Sequence, residues 1–240
     1  MMIFWRLILA HLLTDFTLQT NFIASWKRKN VWGCLAHSLI FLVCSYILCY
    51  GYLTDIWVSI RGIVIIQGWV AIILITIAHF LEDEWRVWTI QKFDSPDSVL
   101  FFLWDQFIHI LLIFVFAPLN VPFYPEKWVL LFILFVLATH FTTIFVYYME
   151  KYIYGQSEMP AFRKYFSMFV RTLVCCLFLL PGRSGMAVIA VLVAGELMFW
   201  ILQKKRAALI NSLLGNLMAV IFGIIARLVY YHAPINKIFS

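Results

Sequence analysis

Charge is scarce in this chain. Asp, Glu, Lys and Arg make up 12% of its 240 residues, about half the share of a soluble domain. Glycine and proline are few, at 10 and 7, so neither a collagen-like repeat nor a low-complexity linker is present. The five cysteines, Cys34, Cys44, Cys49, Cys175 and Cys176, lie in apolar runs without a C-x-x-C pair. They read as buried small hydrophobes and not as a disulfide scaffold or thiolate metal site. Also missing are a Gly-rich phosphate loop, a Ser nucleophile elbow and an H-E-x-x-H helix. The first apolar run is broken by His11 and Asp15 and has no small-residue cleavage site after it, so it does not read as a signal peptide.

What is abundant is apolar surface. Hydrophobic residues reach 64%, with 23 Phe, and mean hydropathy is +0.93. That composition predicts an all-α integral membrane protein. A span needs about 20 mostly apolar residues. Eight such runs are predicted, over 3–24, 31–53, 57–82, 98–119, 127–149, 163–181, 185–203 and 207–231. The gaps are too short for a soluble domain. Residues 1–240 are therefore expected to form a single polytopic membrane domain, with 1–119 carrying a polar site between helices one to four and 120–240 supporting it. The bilayer is the expected partner, and the net charge of +6 need not imply nucleic acid. With eight spans, Lys27, Arg28, Lys29, Arg86, Lys92, Lys151, Arg163, Lys164, Lys204, Lys205 and Arg206 share one side, against Arg6, Arg61, Lys127, Arg183 and Lys237 on the other. The positive-inside rule then puts the 26–30 loop in the cytoplasm and both termini outside.

Ionisable groups within spans are costly and usually functional. Here they recur in pairs. Span one carries His11-x-x-x-Asp15-x-x-x-Gln19, span three ends in His79-x-x-x-Asp83, and span four holds Asp105-Gln106-x-x-His109; span two adds His37. A spacing of four puts each pair on one helix face. Given the alternating span directions, each His is the outer member of its pair and each Asp the inner one. Three carboxylates in a low-dielectric site would take up protons unless something offset them, and no Lys or Arg sits beside the pairs inside spans one, two and four. One divalent ion leaves a charge of −1 and two leave +1. Imidazole with carboxylate suits zinc, and iron or manganese where oxygen dominates. His11, Asp15, His37, His79, Asp83, Asp105 and His109 are the expected ligands, and Gln19 and Gln106 the expected supports or substrate contacts. A proton or ion path and a purely structural His–Asp network are the alternatives.

His11-Leu-Leu-Thr-Asp15-Phe-Thr-Leu-Gln19, the basic loop, His37, His79-Phe-Leu-Glu-Asp83 and Asp105-Gln106-x-x-His109 resemble the bacterial membrane proteins of the domain of unknown function 3307 family. The stretch from Arg171 to Glu196, with Pro181-Gly-Arg-Ser-Gly185 inside it, is similar to that family's second half. The resemblance implies a bacterial inner-membrane location and supports the choice of residues. It implies no reaction.

A smaller polar set lies further on. Arg171 and Glu196 sit at matching depth in spans six and seven and are expected to pair, with Asn211 and Asn216 near them; a structural ion pair and a headgroup-binding pocket are the two readings. His140 is expected to make a helix–helix hydrogen bond. The functional expectation is a metal-dependent hydrolase acting on a lipid or other amphiphile from the cytoplasmic leaflet, with Asp15 or Asp105 as general base. A proton- or metal-ion transporter and a non-catalytic membrane partner remain as alternatives. The absence of proline near the polar residues of spans one, three and four weighs against transport.

Overall fold

The computed structural model describes residues 2–93, 97–118, 125–155, 160–181, 184–203 and 206–231. Arg183, Lys204, Lys205 and Lys237, used above to orient the chain, lie outside them, as does most of the turn after Pro181.

The chain divides into two compact units, residues 1–129 and 130–240. The first contains α1 (Met2–Leu12), which runs into a π-helical turn over Leu13–Thr17, a short α2 (Asn21–Lys27), α3 (Val31–Leu48), a hairpin of β1 (Ile56–Ile60) and β2 (Val64–Gln67), α4 (Gly68–Phe93) and α5 (Val99–Phe116). Polar caps set the helix starts. The Asn30 side chain accepts from Trp32 N at 2.9 Å and Ser98 Oγ from Phe101 N at 3.2 Å, each satisfying an amide that the helix leaves unpaired.

In this unit α1 packs on α3 and α5, and α4 packs on the same two. The four helices close a ring. Small residues fix two close approaches within it. A Cβ on Gly33 would lie 2.4 Å from the Trp26 carbonyl carbon and 2.5 Å from Lys27 N, so glycine lets α3 start against the end of α2. A Cβ on Gly68 would meet the Trp57 indole at 2.6 Å, which seats the hairpin on the first turn of α4.

The second unit holds the later part of a helix that begins at Lys127 and continues through α6 (Lys127–Val136), a π turn (Leu137–Phe141) and α7 (Thr142–Tyr154), followed by α8 (Ala161–Phe178), α9 (Ser184–Leu202) and α10 (Arg206–Tyr231). Its core is built from Ala138, Val170, Val174, Cys175, Phe178, Ile189 and Ala219. Gly223 lets Phe178 come so near that a Cβ there would sit 2.3 Å from the ring.

Among the described residues, five helices are long and apolar enough to cross a membrane: Val31–Leu48, Val99–Phe116, Lys127–Tyr154, Gly185–Leu202 and Ala208–Tyr231. The chain is a multi-pass membrane protein on that ground. The other three runs differ from expectation for local reasons. The first leaves helical geometry after Thr17. The third opens as the hairpin, where Arg61 and Gly62 adopt positive φ of 51° and 73° and turn the chain back. The sixth, α8, carries Arg163, Lys164 and Arg171 among its 18 residues.

Candidate metal centre

The ring of helices in the first unit is polar inside. Asp15 lies in the π turn at the end of α1, a kind of irregularity that recurs at functional sites. Thr14 Oγ1 donates to Ala10 O at 2.8 Å within the same turn. His37 comes from α3, His79 and Asp83 from successive turns of α4, and Asp105, Gln106 and His109 from α5. His11, His37, His79, Asp83, Asp105 and His109 are each 0–2% exposed.

The imidazoles cluster. The rings of His79 and His109 stack at 4.1 Å between centroids, His37 lies 5.3 Å from His79, and His11 lies 5.1 Å from His109. Asp15 is placed among them. Its Oδ1 is 3.5 Å from His11 Nδ1, 3.3 Å from His37 Nε2 and 3.8 Å from His79 Nε2. Asp83 Oδ2 closes the group, 3.6 Å from His37 Nε2 and 3.4 Å from His79 Nε2. Four donors bound tetrahedrally at zinc-like bond lengths stand about 3.3–3.6 Å apart. Four of the five observed separations fall in that range and the fifth, 3.8 Å, lies just above it.

Hydrogen bonding gives an independent test of fit. His11 Nδ1, Asp15 Oδ1, His37 Nε2, His79 Nε2 and Asp83 Oδ2 are all buried and make no hydrogen bond among the described residues. Buried polar atoms are nearly always paired, and these five face one another. His11 Nε2 is 3.1 Å from Gln106 Oε1, an acceptor, so the ring proton belongs on Nε2 and the Nδ1 lone pair faces Asp15. The His11 Nδ1 lone pair and the Asp15 and Asp83 oxygens meet in a buried space, where a cation would satisfy them. The donor set fits a divalent ion. Two three-membered sets, His11–His79–His109 and Asp15–His37–His79, have ligand atoms within 4.8 Å of one another, as do Glu82, Asp83, Asp105 and His109.

Gln106 ties the site together. Besides meeting His11, its Nε2 donates to Asp15 Oδ2 at 3.2 Å and to Asp105 Oδ2 at 3.0 Å. Gln19 falls past the π turn, half-buried, and no hydrogen bond joins it to the cluster.

Two of the three expected pairs close on their own helix, His11–Asp15 and His79–Asp83. The third does not. His109 Nε2 lies 3.0 Å from Glu82 Oε2, and Asp105 Oδ2 accepts from Arg86 Nη1 at 3.1 Å. Cations do reach the carboxylates, from outside spans one, two and four. Lys27, at the end of α2, donates to Asp83 Oδ1 and is itself buried. Burial works against its ammonium, but Asp83, Asp15 and Asp105 outweigh it and hold the pKa above the ordinary lysine value. Arg86 also donates to Asp97 at 3.0 Å, and Arg28 to the same carboxylate at 3.1 Å. Glu82 and Arg86 had a signal in the sequence: at three and seven residues past His79 they share its helix face. Lys27 had none, since the basic loop reads as an orientation signal.

In the second unit, Arg171 and Glu196 are both buried but are not joined directly. Ser167 links them, its Oγ donating to Glu196 at 2.7 Å and its carbonyl accepting from Arg171 Nε at 3.1 Å. Arg171 Nη2 donates to Thr143 at 2.6 Å, and Asn216 Nδ2 to Glu196 at 2.8 Å. Arg163 pairs with Glu150 at 2.8 Å. His140, in the second π turn, meets Thr139 on its own helix at 3.1 Å.

The fold and site together define a helical membrane protein whose first unit encloses a buried cluster of histidines and carboxylates. The chain belongs to the DUF3307 family: residues 3–133 match the family described as Protein of unknown function (DUF3307). The matched segment contains every residue of the cluster and ends before the Arg171–Glu196 stretch. No curated protein and no solved structure matches the chain.

Proposed function

We propose that this protein is a metal-dependent hydrolase of the bacterial inner membrane, acting on a lipid or other amphiphile whose polar group lies in the cytoplasmic leaflet. The convergence of five buried, unpartnered donor atoms from α1, the adjoining π turn, α3 and α4 carries the reading. His11, Asp15, His37, His79 and Asp83 would hold a divalent ion, with zinc favoured by the nitrogen-rich set and iron or manganese as alternatives. Bound there, such an ion lowers the pKa of water to about 7 and polarises a scissile group.

The remaining work falls to the chain. Gln106 fixes the His11 ring and holds Asp15 Oδ2 in place, leaving Asp15 Oδ1 turned toward the donors. Asp105 keeps Oδ1 without a hydrogen bond while Arg86 and Gln106 secure Oδ2. That free oxygen supports Asp105 as the general base, in preference to Asp15. The full arrangement has eight spans, with the three less apolar helical runs crossing alongside the five, and both termini on the periplasmic side. No large soluble part interrupts the described helices, so the substrate is drawn from the bilayer itself.

Metal analysis of detergent-purified protein, after reconstitution with zinc, iron or manganese, tests the centre. Wild type should bind stoichiometrically, and His11→Ala and His79→Ala should bind poorly. A stoichiometry near zero in wild type overturns the proposal. Asp105→Asn should retain metal and lose turnover of a lipid panel followed by mass spectrometry. Metal flux into sealed proteoliposomes, without turnover, would replace hydrolysis by transport.

A further inference from the structure

The five donors do not exhaust the unpartnered atoms of the cluster. His109 Nε2 and Glu82 Oε2 stand 3.0 Å apart, yet no ring nitrogen of His109 and no carboxylate oxygen of Glu82 makes a well-directed hydrogen bond among the described residues, and His109 is 1% exposed. Glu82, Asp83 and His109 each offer a ligand atom within 4.8 Å of the others. Asp105 lies in the same group, but its Oδ2 is already engaged by Arg86 and Gln106. A second donor set thus lies against the first, with Asp83 common to both.

Charge then decides what such a site would accept. Asp15, Glu82, Asp83 and Asp105 face the cluster, and Lys27 and Arg86 offset two of the four. One divalent ion brings the group to neutrality, with the histidines uncharged. A second leaves a surplus of two positive charges in a buried site, which needs a dianion beside it. Lys27 and Arg86 stand beside the donor sets, bonded to Asp83 Oδ1 and to the neighbouring Asp105 Oδ2. An ammonium has three N–H donors and a guanidinium five, and both recognise phosphate through charge-assisted hydrogen bonds.

We propose that Glu82, His109 and the shared Asp83 hold a second divalent ion beside the first, and that Lys27 and Arg86 receive the phosphate of a phosphate-ester amphiphile at this pair of ions. The inference rests on the metal centre proposed above and names its ligand class. A neutral ester or amide would leave the double positive charge uncompensated. A phosphate dianion cancels it. Asp105 keeps its place as base next to the phosphate.

The test uses the full-length protein in phosphatidylcholine nanodiscs, loaded with zinc or manganese. Wild type should contain two ions, Glu82→Gln one, and Asp105→Asn two. Calorimetric titration with inorganic phosphate should show binding to the loaded protein alone. Lys27→Gln should weaken it about tenfold or more, while Lys27→Arg, which preserves the charge if the Gln variant fails to fold, should retain it. Nanodiscs containing phosphatidic acid separate the two sources of phosphate. Competition between that lipid and inorganic phosphate supports a headgroup, and binding of inorganic phosphate alone supports a soluble ester. Two ions without phosphate binding in either arm overturn the ligand class. One ion in wild type, unchanged by Glu82→Gln, overturns the second centre and leaves the first intact. No ion at all removes both.

Discussion

The two units bury comparable sets of polar side chains, and they satisfy them differently. In the second unit most groups answer one another: Glu196 accepts from Ser167 and Asn216, Arg171 donates to Ser167 and Thr143, and Arg163 meets Glu150. Arg171 Nη1, Asn211 Oδ1 and Asn216 Oδ1 make no hydrogen bond among the described residues, and no converging set of His, Cys, Asp or Glu donors is found there among them. In the first, a shell of ordinary contacts made by Gln106, Lys27 and Arg86 surrounds a centre of imidazole nitrogens and carboxylate oxygens that make no hydrogen bond among the described residues. A network whose groups mostly satisfy one another locks helices together. A network with unpaired donor atoms turned inward has the capacity to hold an ion. Burial and composition alone do not separate the two cases; the partner of each atom does.

The largest test of that contrast is metal removal. Saturation at a thousand times the dissociation constant stabilises the folded state by about 4 kcal/mol. Thermal unfolding followed by the tryptophans should therefore shift up by several degrees on adding zinc and return on chelation. His79→Ala, which removes the imidazole shared by both three-membered sets, should abolish the shift. An equal shift in the variant would mean that the ion binds elsewhere.

The second unit should behave in the opposite way. Glu196→Ala leaves Ser167 without its acceptor and Asn216 with Ser212 alone, and removes the carboxylate that joins them, at a cost of about 3 kcal/mol. Stability should fall whether or not metal is present, and metal content should not change. A loss of bound metal in this variant would tie the second unit to the centre.

Much of this was legible in the residues. His11–Asp15 and His79–Asp83 are four apart, and a spacing of four can only mean one helix face. The starts near 31, 99 and 127 follow from Asn30, Ser98 and the polar stretches before them. Other features depend on contacts distant in sequence. Residues 56–67 are an apolar, β-branched run that periodicity cannot assign between strand and helix, and only Arg61-Gly62 hinted at a turn. Lys27 reaches Asp83 because Gly33 admits α2 against α3, a relation invisible in either segment alone. The third pair failed for a related reason. Asp105 and His109 share a face, but α4 presents Glu82 and Arg86 to that face, so Asp105 accepts from Arg86 and His109 comes to lie against Glu82.

Gln106→Ala is the next step down. It removes the acceptor that sets the His11 tautomer and the donor that holds Asp15, while leaving all five donors in place. Losing such a support costs about 10–100-fold in metal affinity. Competition with a chelating dye should show weaker binding at unchanged stoichiometry. Unchanged affinity would show that the ring and carboxylate are already fixed by packing, for instance by Phe41, which stacks on His79 at 5.3 Å.

The smallest effect is expected one residue from a large one. Lys27 and Arg28 are adjacent and carry the same charge, and a sequence reading treats them as one basic run. Lys27 is buried against Asp83, whereas the Arg28 side chain is 65% exposed and meets Asp97 at 3.1 Å. An exposed pair of this kind is worth about 0–1 kcal/mol because water screens it and the long side chain gives up rotamer freedom. Asp97 also keeps Arg86 as a partner when Arg28 is lost. Arg28→Ala should therefore change the unfolding temperature by a degree or two at most and leave metal affinity unaltered. Lys27→Met, made beside it, should lower stability severalfold more, because Asp83 would be left as a buried, uncompensated carboxylate, and zinc should recover part of that loss by supplying the missing positive charge. Equal effects from the two variants would mean that net charge in the loop, and not the seat of Lys27 inside the ring of helices, is what matters to the site.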